Sequence, residues 1–143
     1  MDAFFHFIVK CIIAIHKSGG TCKVEKKEAL SSTQQLLELL DEMNDIYEDA
    51  RATKKEYDFM KVVEPYARKT QDMTSTWQQH IQRVIQNQQA YFIGERHIEQ
   101  VIENTCQLSV QAFYSSTSYS RFKSYLQSTK FLLKTMERQL KEN

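Results

Sequence analysis

Three glycines and one proline in 143 residues are too few for a chain of hairpins and bulges, whose turns consume both residue types. Cysteine is scarce as well. Cys11, Cys22 and Cys106 are odd in number, far apart and contain no CxxC pair, which argues against a disulfide framework or a zinc knuckle and fits a reducing cytoplasm. No apolar run is long enough to cross a bilayer, which needs about 20 residues. The first fifteen residues come nearest, but Asp2, His6 and Lys10 interrupt them. They also lack the basic start and small-residue cleavage site of a secretory signal. Nor does charge of one sign dominate: the formal net charge is +1, without the Lys and Arg excess of most nucleic-acid-binding surfaces.

What the chain does contain points to helix. Gln, Lys, Glu and Leu, which keep much of their rotamer freedom in a helix, are abundant. From Glu25 onward the apolar residues recur at intervals of three and four, the spacing that lines one helical face. Leu30, Leu36, Leu37, Leu40, Met43 and Tyr47 form a first stripe that ends near Arg51-Ala52-Thr53. Tyr57-Asp58-Phe59-Met60 opens a short turn. Pro65 fits the first turn of a second helix, where its missing N–H costs nothing, and Met73, Trp77, Ile81, Val84, Ile85 and Gln88 follow on its face. Gly94 breaks that helix after Tyr91 to Ile93. A third, roughly Glu95 to Ser115, carries Ile98, Val101, Ile102, Thr105, Leu108 and Ala112 or Phe113. Ser118 or Ser120 can cap a fourth, lined by Phe122, Tyr125, Leu126, Thr129, Leu132, Leu133, Met136 and Leu140. Four amphipathic stripes joined mostly by short links predict an all-α, up-and-down antiparallel four-helix bundle over residues 24–143.

Residues 1–23 read as a separate apolar N-terminal extension. The segment could pack onto the bundle. Alternatively residues 4–15 could lie on a membrane surface, since His6, Lys10 and Lys17 fall near one helical face. A third reading makes it a translated upstream region, with the native start at Val24. Gly19-Gly20 can be encoded by a purine-rich ribosome-binding sequence at a suitable distance from a GTG codon there.

The near-neutral charge hides an asymmetry. Residues 1–60 hold 8 basic and 11 acidic side chains, and residues 61–143 hold 11 basic and 7 acidic ones. Seven acidic residues and no Lys or Arg lie between Glu28 and Asp49, whereas Ser118 to Asn143 has six basic and two acidic ones. The acidic first helix is thus expected to pair with the basic fourth.

Helical bundles often hold metals, and a di-iron centre needs Glu-x-x-His pairs so that both ligands leave one face. The sequence has none. His80 and His97 on different helices could still meet a third ligand, although an exposed or hydrogen-bonded histidine is the simpler reading. Cys106 would be reactive only beside such a histidine and otherwise behaves as a small buried hydrophobe. No glycine-rich phosphate loop, GxSxG or HExxH occurs. Asp58 and Arg121 stand beside aromatics expected in the core, Phe59 and Phe122, at element ends. Their plainer roles are to cap a turn and to pair with a carboxylate or a helix C-terminus. Trp77 reads as core, or less simply as an interface anchor. Tyr114 to Lys123 mixes aromatics, hydroxyls and cations, the materials of single-strand binding, but also reads as an ordinary loop and cap.

Tyr57-Asp58-Phe59, Pro65, Trp77, Ile98-Glu99, Val101, Asn104, Gln111 and Arg121-Phe122-Lys123 sit at spacings that resemble the YppE family, small uncharacterised proteins of Gram-positive bacteria. The resemblance runs from about Ser31 to Leu140. It implies a four-helix bundle but brings no activity, cofactor or functional residue with it. Without a catalytic constellation, the expectation is a non-enzymatic cytoplasmic module binding an unidentified protein or another copy of itself. Its surface would be an acidic face or a Gln-rich face of Gln78, Gln79, Gln82, Gln86, Gln88 and Gln89. The alternative is an enzymatic or metal-binding bundle using His80 and His97. No cofactor is expected.

Overall fold

The computed structural model describes residues 22–87 and 94–142, with side chains from residue 24 onward. Residues 1–21 of the N-terminal extension, Gln88, Gln89 and Tyr91 to Ile93 lie outside the described residues, while Cys22 and Lys23 already belong to the first helix. Among the described residues four α-helices follow in order, α1 Cys22–Thr53, α2 Glu64–Gln86, α3 Glu95–Gln111 and α4 Tyr119–Lys141, with a π-helical turn, Phe59–Val63, leading into α2. No strand occurs among the described residues. Each helix packs against the next, and α4 returns to α1, which gives the expected bundle.

The core is drawn from the four stripes. Leu36, Leu40, Met43 and Tyr47 of α1 meet Trp77, Ile81 and Val84 of α2, and α3 and α4 close it with Ile102, Leu108, Phe122 and Leu133, all fully buried. Leu30, Leu37, Met73, Ile85 and Leu132 are only partly covered, along the edges of this core. Tyr125 departs from its expected place and is 39% exposed. The buried row of α4 runs Phe122, Leu126, Thr129, Leu133, Met136, Leu140, and position 125 lies on its flank.

α3 ends at Gln111, four residues before the expected Ser115. The Gln111 carbonyl accepts the Thr117 hydroxyl at 3.0 Å, while the Thr117 carbonyl accepts the Tyr47 hydroxyl at 2.6 Å. These bonds turn the chain off the helix axis and anchor the loop to α1. Ser118 then caps α4, its Oγ accepting the Arg121 backbone N–H at 3.5 Å.

A second correction concerns α2. Gln78 and Gln82, expected on its outer surface, are 2% and 7% exposed. They follow Thr70 and Thr74 at four-residue steps, and that row is buried because α2 packs between α1 and α3. Gln79 is half-buried and Gln86 exposed, so the described part of α2 presents no continuous glutamine face. Three of the buried threonines avoid the cost of an unpaired hydroxyl by bonding back along their own helices. Thr33 donates to the Ala29 carbonyl at 2.7 Å, Thr70 to Tyr66 at 2.9 Å and Thr129 to Tyr125 at 2.7 Å.

The acidic and basic helices do pair. Lys123 of α4 reaches Glu48 of α1 at 2.6 Å and also donates to Asn44, and Lys130 pairs with Asp41.

Candidate functional site

The described histidines are engaged separately. His80, on the face of α2 that meets α1, places Nδ1 2.5 Å from the Ser32 hydroxyl, and its Nε2 lies 3.9 Å from Glu28, which also faces Arg83 at 3.7 Å. Glu28 and Ser32 are one turn apart, which puts both on the face of α1 that meets α2. Burial lowers the His80 pKa; the Glu28 charge opposes that effect and Arg83 adds to it.

A serine, a histidine and a carboxylate in line invite comparison with a hydrolytic triad, but the surroundings lack what acyl transfer requires. An oxyanion hole needs free N–H donors aimed at the developing charge. Ser32 lies ten residues inside α1, where the backbone N–H groups are held by the helix itself. The adjoining groove, about 170 Å³ between Ser32, Gln35, Leu36, Asp72, Met73 and Thr76, is smaller than the roughly 300 Å³ and upward typical of ligand pockets.

His97 is exposed in the first turn of α3, where its Nδ1 accepts the Gly94 backbone N–H at 3.5 Å. This is one half of a capping box. Cys106 is fully buried, 3.8 Å from the Thr74 hydroxyl. No group of three or more His, Cys, Asp or Glu side chains is arranged to hold a metal among the described residues, and no described helix is long and apolar enough to cross a membrane.

Trp77 is fully buried and offers no surface to a partner. Its indole N–H donates to Thr33 Oγ1 at 3.0 Å, so Thr33 passes the bond on to the Ala29 carbonyl. Asp58 caps the π-helical turn, its Oδ1 accepting the Lys61 N–H at 3.0 Å. Arg121 differs from expectation. It is exposed and, among the described residues, its guanidinium forms no ion pair, because it leaves the first turn of α4 on the solvent side.

Asp58 and Arg121 nevertheless belong to the same end of the bundle. There the C-terminus of α1, the π-helical turn, the end of α3 and the start of α4 converge around aromatic rings. Phe113 meets Tyr57 and Tyr66 edge-on, with centroids 5.1 and 5.3 Å apart, and Tyr47 stacks on Phe122 at 4.0 Å. Burial first and neighbouring carboxylates second, Asp49 for Tyr57 and Glu42 for Tyr66, raise both phenols above their ordinary pKa.

Sequence reasoning missed the outer face of this pole. Phe59, treated as core from its sequence context, is 49% exposed, Met60 is 68% and Val62 is 38%; Val63 alone of the turn is buried. The wider π turn is the reason. Its backbone does not repeat at 3.6 residues, so four apolar residues out of five in Phe-Met-Lys-Val-Val cannot all turn inward.

The pattern of the bacterial domain of unknown function DUF1798 matches residues 33–140. The uncharacterized protein YppE of Bacillus subtilis (strain 168) is 22% identical over 104 residues, covering 73% of this chain and 85% of that protein. A crystal structure of a protein of unknown function from Listeria innocua superimposes with a TM-score of 0.79 at 24% identity, covering 83% of this chain and 95% of the other. The crystal structure of B. subtilis YppE gives 0.73 at 20% identity, covering 79% and 92%. These structures share the fold. With three quarters of its length matched by one sequence pattern, the chain belongs to the bacterial DUF1798 family.

Proposed function

We propose that this protein is a non-enzymatic interaction module that binds another protein through the aromatic pole of the bundle. The observation that carries this reading is the cluster of Phe59, Met60 and Val62, adjacent in sequence, exposed together and rooted by the buried Val63. Isolated apolar side chains on a surface are ordinary, whereas a contiguous group on a fixed turn is a feature of contact sites. π-helical turns also recur at functional sites. Affinity purification from the native host with the full chain, alongside a Phe59→Ser/Met60→Ser variant, tests the reading. A reproducible partner that the variant loses supports it, and the absence of any partner counts against it. Sedimentation of the purified chain separates self-association from binding to a different protein.

The Ser32–His80–Glu28 line keeps a second reading in view, an enzymatic or metal-binding bundle centred on His80. Elemental analysis of protein purified without a chelator or affinity tag tests it. Stoichiometric metal lost in His80→Gln would favour this reading, and metal-free protein would remove its metal form.

A further inference from the structure

Among the described residues some cations are neutralised by ion pairs and others are not. Arg68 faces Glu64, Arg83 faces Glu28, Lys123 faces Glu48, Lys130 faces Asp41 and Lys141 faces Glu137, whereas Lys26, Lys27, Lys134 and Arg138 are spread along the helices without an ion pair among the described residues. At the pole, Arg51, Lys54, Lys55, Lys61 and Arg121 have no ion pair among the described residues, and all are exposed. Two of them rest on ring faces instead. The Arg51 guanidinium stands 4.5 Å over Tyr119, and Lys55 Nζ lies 5.2 Å from the Tyr57 ring centroid. A ring holds a cation in place without neutralising it, so these charges remain available to a partner.

Lys54 closes α1. It has a φ of 52°, the left-handed conformation that glycine adopts freely and a side chain makes costly. Its N–H donates to the Ala50 carbonyl at 2.8 Å, so the left-handed residue ends the helix while its exposed side chain adds a cation to the pole.

Resting on the interaction reading above, we propose that the pole receives an acidic protein segment bearing apolar anchor residues. Phe59, Met60 and Val62 meet the anchors, while Lys54, Lys55, Lys61 and Arg121 meet the carboxylates around them. An anionic membrane surface fits less well. Asp49, Glu56 and Asp58 lie among the cations, where a uniformly anionic surface would repel them. An acidic segment can instead place its carboxylates opposite individual lysines.

The test is a selection of random displayed peptides on the immobilised full chain, followed by affinity measurements on the enriched peptides. The expected sequences combine Asp or Glu with aromatic or large aliphatic residues. Their binding falls about tenfold or more in Phe59→Ser/Met60→Ser and weakens with added salt. Lys55→Glu/Lys61→Glu, which leaves the apolar residues in place, is expected to reverse the charge preference of the selected peptides. Basic or uncharged peptides, or acidic ones indifferent to both variants, would overturn the proposed partner chemistry while leaving the interaction reading to the host purification. Failure to enrich any peptide overturns segment docking in the same way. Flotation with phosphatidylglycerol vesicles through Phe59 and Met60 would overturn it in favour of a membrane.

Discussion

Trp77 is the largest fully buried side chain, and burying its indole is favourable only while the N–H has an acceptor. Thr33 supplies one at 3.0 Å. Thr33→Val, close in volume but unable to accept, is expected to lower unfolding free energy by about 1–3 kcal/mol, read from the urea midpoint of the full chain; an unchanged midpoint would show the bond contributes nothing. Lys54 should behave oppositely. Lys54→Gly relieves the left-handed backbone at the end of α1, with an expected gain of about 0.5–1 kcal/mol, while weakening the acidic partner proposed for the pole. His80 gives the protein a pH dependence whose sign follows from its lowered pKa. As pH falls below the unfolded value near 6.5, the unfolded chain takes up the proton before the native one. Stability therefore declines toward the lower native pKa and is recovered above the unfolded value. His80→Gln should flatten that part of a stability–pH profile, and an unaltered profile would assign the slope to other groups.

At the scale of elements, the stripes were legible because each helix buries one face and the three-and-four spacing records it. Pro65 in the first turn of α2 and the Ser118 hydroxyl at the start of α4 marked boundaries. Gly94, expected to break α2, stands instead at the start of α3, and α2 already stops at Gln86. What was not legible depends on neighbours. Gln78 and Gln82 look like surface residues by type, and only the position of α2 between α1 and α3 buries them. The end of α3 was misplaced because the bonds that stop it involve Thr117 and, from the distant first helix, Tyr47. The pairing of acidic α1 with basic α4 was anticipated from charge counts, but its energetic weight is small. Asp41 is 63% exposed and Glu48 48%, and exposed pairs typically contribute about 0.2–1 kcal/mol. Lys130→Ala should accordingly change stability by less than about 1 kcal/mol, with the difference fading in high salt. A larger, salt-resistant loss would mean that the aliphatic stem of Lys130, not its charge, supports the α1–α4 contact.

Considered as a whole molecule, the bundle separates what holds it together from what it shows to solvent, and the π-helical turn brings the two within a few residues. Val63 is fully buried, whereas Met60, three positions earlier, is 68% exposed. If the turn is only a connector, its apolar residues should all serve stability to some degree. If it is a contact surface, they should divide. Val63→Ala removes two buried methyl groups and is expected to cost about 2 kcal/mol through lost burial and the cavity left behind. Phe59→Ser/Met60→Ser gives up little burial, and its urea midpoint is expected within about 0.5 kcal/mol of the parent. Partner binding should show the reverse order, with the double variant impaired and Val63→Ala retaining affinity wherever it remains folded. A double variant as unstable as Val63→Ala would make Phe59 and Met60 part of the structural cover. Retained stability with lost binding is the result that only a recognition surface gives.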